Sequence, residues 1–186
     1  MWTLLLAVAA VFMAGISLYN KLIKLREQVD AAWADIDVQL KRRYDLIPNV
    51  VETVKGYAAH EHKTLDAVVQ ARSSGMSAQG PAQKGQAEGM LAGALKSLFA
   101  LAEAYPHLKA AGGFQDLQGT LADLEDSIQN ARRYYNAVVR DYNTKIHSVP
   151  SNLVGKSFNF AEREFFEIPE AEKVMPQVKF TDDNDE

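Results

Sequence analysis

The first twenty residues of this 186-residue chain, Met1 to Asn20, contain no charged side chain. A helix rises about 1.5 Å per residue, so a helix of that length is about 30 Å long, which is the thickness of the hydrocarbon core of a bilayer. Trp2 and Tyr19 lie near its two ends, where aromatic rings favour the headgroup region. The sequence therefore predicts a transmembrane anchor at residues 1–20.

A cleaved signal peptide is the competing interpretation of this segment. Such a peptide has basic residues before its apolar stretch and small residues at a cleavage site after it. No lysine or arginine precedes the apolar run here, and residues 18–21, Leu-Tyr-Asn-Lys, offer no such site. We therefore expect the anchor to be retained.

The charges beside the anchor bear on its orientation. Lys21, Lys24 and Arg26 follow it directly, and a basic flank usually stays on the cytoplasmic side. Glu27 and Asp30 lie close by and weaken the asymmetry. The flank favours a cytoplasmic body only slightly, and the absence of cysteine is compatible with either compartment.

Composition predicts one folded domain after the anchor, at residues 21–168. The chain has 24 acidic and 20 basic residues, and four of the acids lie within the last five positions. Without that end the charges balance, so no basic surplus points to nucleic acid as a partner. Residues 169–186 are expected to form an acidic, disordered tail.

Apolar residues at helical spacing dominate the body. The first stripe continues from the anchor without an intervening Gly or Pro until Pro48, where we expect a kink. It comprises Leu18, Leu22, Leu25, Val29, Ala32, Ile36 and Leu40.

The rest of the chain predicts two further long helices. Residues 73–85 contain three glycines and a proline and predict a mobile loop. Helices are expected at about 86–104 and from Phe114 to just before Pro150, followed by an extended or short-helical segment packed on the bundle. No strand-like alternation occurs, so the expected fold is an all-α antiparallel bundle of long helices continuous with the transmembrane helix.

Polar residues beside the apolar stripes predict a structural lock between the two long helices. Asn49 and Glu52 are three residues apart and share one helix face. The pairs Tyr135-Asn136 and Tyr142-Asn143 are seven residues, or two turns, apart, and Arg132 lies one turn earlier. Buried Tyr, Asn and Arg side chains need partners, so all seven are expected to join the helices.

Candidates for chemistry are weak by comparison. His60 and His62 are two apart, which on a helix turns them about 200° from each other and away from a common metal ion. Asp45 and Glu52 beside Arg42, Arg43 or Arg132 would make an acid–base site, but ion pairs are far commoner in helix bundles. We therefore expect no catalytic residue, no metal ligand and no cofactor.

Small residues form a stripe of their own within the anchor, at steps of four and three. Such a stripe lets membrane helices approach closely and predicts a homo-oligomer, although accidental spacing of common alanines is the alternative. The stripe consists of Thr3, Ala7, Ala10, Ala14 and Ser17.

Several motifs together resemble the LemA family. They are residues 32–57 (AWADIDVQLKRRYDLIPNVVETVKGY), residues 105–110 (YPHLKA), residues 114–118 (FQDLQ), the two Tyr-Asn pairs and the phenylalanines near the C-terminus. The resemblance implies a bacterial, single-pass protein of the cell (inner) membrane with a long-helix bundle. It supplies no reaction.

Two functional hypotheses follow. The leading one is a membrane-anchored, non-enzymatic scaffold or assembly protein that contacts lipid and associates with itself. The alternative is an accessory or regulatory partner of a membrane machine, such as a quality-control protease. A metal-assisted hydrolase is a weaker third.

Overall fold

The computed structural model describes residues 1–167, which contain six α-helices and no strand. This confirms the prediction of an all-α fold. The predicted acidic tail at 169–186 lies outside the described residues. The helices are α1 (Trp2–Lys55), α2 (His62–Ser77), α3 (Gly80–Glu103), α4 (Pro106–Lys109), α5 (Gly112–His147) and α6 (Ser151–Ser157).

Helix α1 is one 54-residue helix that contains both the apolar segment and the first element of the bundle. Its residues 1–14 are exposed, and its first buried residue is Leu22. The helix passes through Pro48 and ends only at Lys55, so the proline does not terminate it. The apolar stripe predicted from Leu22 onward forms the buried face of α1, including Val29, Ile36 and Leu40.

Helix α5 packs antiparallel to α1, and these two helices make the most extensive contact in the bundle. Two pairs fix their register: Arg43 meets Glu125, and Trp33 meets Tyr135. From the first pair to the second, the position on α1 falls by ten residues and the position on α5 rises by ten, as antiparallel packing requires. Leucines, valines and isoleucines of α1 and α5, together with leucines of α3, fill the core between the helices.

The loop predicted at residues 73–85 is largely helical, and that prediction was wrong. Helix α2 continues to Ser77, and α3 begins at Gly80. Pro81 lies in the first turn of α3, where its missing N–H costs no helical hydrogen bond. Two of the glycines mark close contacts rather than turns, because a Cβ on Gly75 would lie 2.7 Å from the Tyr44 hydroxyl and one on Gly85 would overlap the Glu167 carbonyl oxygen.

After α5 the chain folds back on the bundle. Helix α6 packs against α5 and α1, and an irregular segment follows it to Glu167. Asn159 has a positive φ of 54° at the start of this segment, where asparagine tolerates the left-handed conformation better than most residues. The segment, residues 160–167, then runs along α5 toward the start of α3, where it meets Gly85.

Candidate functional site

Four side chains of α5 hold the C-terminal segment by its main chain, and we call Tyr135, Asn136, Tyr142 and Asn143 the tyrosine–asparagine clamp. In its first half, Asn143 Nδ2 donates to the Arg163 carbonyl at 2.9 Å, and Asn143 Oδ1 accepts from the Arg163 N–H at 3.0 Å. The Tyr142 hydroxyl donates to the Ala161 carbonyl at 2.9 Å. One asparagine side chain thus satisfies both main-chain groups of a single residue.

The second half of the clamp repeats the first. Asn136 donates to the Phe166 carbonyl at 3.1 Å and accepts from the Phe166 N–H at 2.9 Å. The Tyr135 hydroxyl donates to the Glu164 carbonyl at 2.8 Å. Each Tyr-Asn pair therefore makes three hydrogen bonds to the segment, two from the asparagine side chain and one from the tyrosine hydroxyl.

Helix and segment match in length at this spacing. Seven residues of α5 separate the two pairs, which is about 10.5 Å of helix at 1.5 Å per residue. Three residues separate Arg163 from Phe166, which is about 10 Å of extended chain at 3.3 Å per residue. The seven-residue repeat on α5 thus fits a three-residue repeat on the non-helical segment lying beside it.

The clamp tyrosines are donors, and burial keeps them protonated. Desolvation raises the pKa of Tyr135 to about 12 and also raises the pKa of Tyr142. Both hydroxyls therefore keep their protons, and their hydrogen bonds, to a higher pH than an exposed tyrosine would.

Phe166 inserts between α1 and α5 at the end of the clamped segment and is fully buried. Its ring centroid lies 6.1 Å from that of Trp33, and the Arg132 guanidinium carbon lies 4.5 Å from the same centroid. Arg132 itself is buried, so the arginine predicted to lie in the lock covers the buried aromatic side chain of the segment.

Two of the seven predicted lock residues lie elsewhere, and that part of the prediction was wrong. Asn49 and Glu52 are exposed, and Glu52 pairs with Lys55 at 3.4 Å. Ile47, Val50 and Val54 take the buried face of α1 in this stretch, so the polar residues between them point outward.

The partners of the predicted asparagines also differ from those expected. Asn136 and Asn143 bind the segment that follows α6, whereas the prediction had them join α5 to the first long helix. The sequence of residues 161–166 carries no signal for these hydrogen bonds, because the clamp bonds to main-chain atoms only.

A second polar cluster, which sequence reasoning missed, joins α1, α3 and α5. Arg43 Nη1 lies 3.1 Å from Glu88 and 2.9 Å from Glu125. The Tyr44 hydroxyl donates a short hydrogen bond to the other oxygen of Glu88. Arg43 is 6% and Glu88 4% exposed, whereas the Glu125 side chain is 40% exposed, so this buried charge cluster (Arg43, Tyr44, Glu88 and Glu125) lies inside the bundle except at Glu125, which reaches its surface.

Burial dominates the electrostatics of this cluster. Desolvation raises the pKa of the Glu88 carboxyl, while the hydrogen bond from Tyr44 and the charge of Arg43 act in the opposite direction. Desolvation likewise raises the pKa of Tyr44. Both oxygens of Glu88 are taken by partners on α1, so the arrangement suits a joint between helices better than a reactive group.

A sequence signal for this cluster does exist. Arg43 occupies a helical step between Leu40 and Ile47, and Glu88 lies three residues before Leu91. A charged residue at a core position of an apolar stripe needs a buried partner of opposite sign.

The predicted acid–base alternative is not what the structure shows. Asp45 pairs with Lys41 at 2.7 Å on the surface, and Arg42 is exposed. His60 and His62 are also exposed, and within residues 1–167 no group of three His, Asp or Glu side chains is placed to hold a metal ion.

The apolar start of α1 is the other surface with functional implications. It is the one helix among the described residues that is long and apolar enough to cross a membrane, and its apolar window is unburied. The small-residue stripe is exposed along this part of α1 and stays a prediction of helix packing; its members are Thr3, Ala7, Ala10, Ala14 and Ser17.

Comparison with known proteins places these features in a family context. The model of the LemA family matches residues 32–180, which begins after the apolar segment. Magnetosome protein MamQ 2 of Paramagnetospirillum magneticum is 26% identical over 87% of this chain and 69% of its own length. MamQ of Magnetospirillum gryphiswaldense is 25% identical over 86% and 70%, and Protein LemA of Metamycoplasma hominis is 26% identical over 83% and 71%.

Proposed function

The chain belongs to the LemA family, and from that premise we propose that it is a membrane-anchored, non-enzymatic scaffold that assembles with copies of itself. Its bundle stands beside the membrane at a height and rotation set by α1. The membrane is the cell (inner) membrane of a bacterium, with the body on the cytoplasmic side that Lys21 and Lys24 favour.

The continuity of α1 carries this proposal. At about 1.5 Å per residue its 54 residues span about 81 Å, from an exposed apolar end into the core of the bundle. No flexible linker interrupts α1, so the bundle cannot tumble independently of the anchor. A fixed presentation of this kind suits a structural part of an assembly.

The polar clusters support a scaffold as well. The tyrosine–asparagine clamp and the buried charge cluster each join separate elements, and their hydrogen-bonding groups are directed at one another. The names of the relatives, Magnetosome protein MamQ and Protein LemA, state no reaction either.

Self-association is tested in mild detergent by measuring the mass of the particle with light scattering. We expect an oligomer, and we expect Ala7→Leu, Ala10→Leu and Ala14→Leu together to reduce its mass by keeping the anchor helices apart. Ala10→Leu alone is compared with Ala9→Leu, which adds the same bulk about 100° around the helix, off the stripe, and is the matched control.

A parent protein that is monomeric would contradict the scaffold proposal. If such a monomer instead co-purified with a second membrane protein, the accessory role beside a membrane machine would replace it. An oligomer that keeps its mass with all three leucines would remove the small-residue stripe as the contact and leave the bundle as the assembling surface.

A further inference from the structure

The ring of Phe158 lies at the same height on the molecule as the end of the anchor. Its centroid is 4.8 Å from that of Tyr19, and the ring of Phe160 is 5.8 Å from Tyr19. Tyr19 lies near the end of the apolar segment. If residues 1–20 form the transmembrane anchor, as the proposed function requires, then Tyr19 and Phe158 are both at the membrane–water interface.

The register of α1 and α5 gives the same height independently. The Arg43–Glu125 and Trp33–Tyr135 pairs extrapolate along both helices to Ile146 beside Leu22. At about 1.5 Å per residue, Leu22 is only about 4.5 Å from the level of Tyr19. Helix α6 folds back at this end of α5, where Ser151 Oγ donates to the Lys145 carbonyl at 2.7 Å.

This end of the bundle exposes large apolar side chains. Val149, in the turn between α5 and α6, is 80% exposed. Leu153 in α6 is 65% exposed, and Phe158, just after α6, is 61% exposed. Residues 148–158, which we call the α6 foot, thus present apolar groups at the height where a bilayer surface would be.

The charges at this end are mainly basic, although the Glu162 carboxylate also reaches it through its contact with His147. No aspartate or glutamate occurs from Met1 to Arg26 or from Tyr142 to Ala161. Lys21 and Lys24 lie on the α1 side, and Lys145 and Lys156 on the other. His147 is not counted, because it bonds to Glu162.

We propose that the α6 foot is a second membrane contact, which rests on the anionic headgroup layer of the bilayer that the anchor crosses. Val149, Leu153 and Phe158 enter the interfacial region, and the lysines on both sides meet lipid phosphates. Apolar side chains flanked by lysines are the composition that binds such a layer. With two contacts on one surface, the tilt of the bundle is fixed as well as its height.

Depth-dependent quenching in reconstituted bilayers tests this proposal on the full chain. The chain has no cysteine, so a single introduced cysteine carries an environment-sensitive fluorophore at one site. The sites are Leu153→Cys in the foot, Val8→Cys in the anchor and Tyr57→Cys beyond the far end of α1, an exposed position. The vesicles contain phosphatidylcholine and phosphatidylglycerol with brominated acyl chains as quencher.

We expect the Val8 and Leu153 labels to lose fluorescence to brominated lipid and the Tyr57 label to keep it. Lys156→Gln should lower the ratio of lipid-bound to unbound Leu153 label about fivefold in anionic vesicles, the effect of about one lysine at a charged surface. Lys63→Gln, an exposed lysine at the far end, should leave it unchanged.

The possible failures are distinguishable. A quenched Val8 label with a Leu153 label as bright as that at Tyr57 overturns the foot and leaves the anchor standing. A Leu153 label that is shielded from water but not quenched by lipid shows that protein covers the foot, which also overturns it. An unquenched Val8 label removes the anchor, and with it both the proposed function and the foot.

Discussion

Arg42 and Arg43 are neighbours with the same side chain, yet the bundle treats them differently. Arg42 is exposed, whereas Arg43 is buried between Glu88 and Glu125. A buried cation without partners would be very costly, and a buried carboxylate would be as well. Arg43 therefore stabilises the fold largely by preventing an unpaired buried charge at Glu88.

Replacing Arg43 by methionine should strongly destabilise the fold. The substitution leaves Glu88 buried without its cation, and breaking such a pair typically costs about 3–5 kcal/mol of unfolding free energy. Arg42→Met is the matched control and should change stability by less than about 0.5 kcal/mol, as exposed substitutions usually do. Denaturant unfolding of both variants measures this, and equal losses would contradict the role given to Arg43.

Tyr135 should make the fold sensitive to alkaline pH. Its pKa is raised from 10.0 to about 12, so the folded state holds this proton more tightly than the unfolded chain does. The associated stability is fully present below pH 10 and is lost as the pH rises toward 12.

The free energy of unfolding of the parent should therefore fall more steeply above pH 10 than that of Tyr135→Phe. Tyr134→Phe alters the exposed neighbour and should keep the slope of the parent. Identical slopes for all three proteins would show that Tyr135 does not hold its proton through the clamp.

Among the elements, α3 contains two glycines with different roles. Its packing requires a glycine at position 85 but not at position 93. Gly85 leaves room for the Glu167 carbonyl oxygen, which is main chain and cannot rotate away. Gly93 on the same helix has open space where a Cβ would be. The two positions separate the packing effect of a methyl group from its effect on helix propensity.

Gly85→Ala should lower the melting temperature, and Gly93→Ala should raise it slightly. Alanine in a helix interior is favoured over glycine by about 0.5–1 kcal/mol, and at Gly93 nothing opposes that gain. At Gly85 the clash displaces the C-terminal segment. Thermal unfolding measures the melting temperature of both variants. Stabilisation of both would mean that the C-terminal segment does not need the space that Gly85 leaves.

The long helices follow from sequence, but the connections between them do not. The stripes of α1 and α5 are evident because the apolar period persists over many turns. A loop was wrongly predicted at residues 73–85 because Gly75 and Gly85 serve close packing, and a single sequence does not distinguish a packing glycine from a turn glycine.

The candidate site was predictable only from the side of α5. The seven-residue spacing of Tyr-Asn pairs showed that these residues share a face and need partners. Their actual partners are main-chain groups of residues 161–166, which every residue type possesses, so no sequence pattern marks them. Asn49 and Glu52 were misplaced because a polar residue beside an apolar stripe can lie on either side of its boundary.

At the scale of the whole molecule, the proposed anchor makes α1 the element that sets where every other element lies relative to the membrane. The proposed orientation places α2 in the cytoplasm, and a cysteine at the exposed Ser73 tests it. We expect an impermeant thiol reagent to leave Ser73→Cys unlabelled in intact cells and to label it once the cells are broken. Labelling in intact cells would place the body on the outer side.

The clamp also affects how this protein can change over generations. Because Asn136 and Asn143 bind only backbone groups, many side chains at positions 162, 164 and 165 are compatible with the same grip. Removing or adding one residue between Arg163 and Phe166 would instead put the two Tyr-Asn pairs out of register with the segment that they hold. Point mutations at these three positions should therefore be tolerated, whereas an insertion or deletion between Arg163 and Phe166 should be severely destabilising.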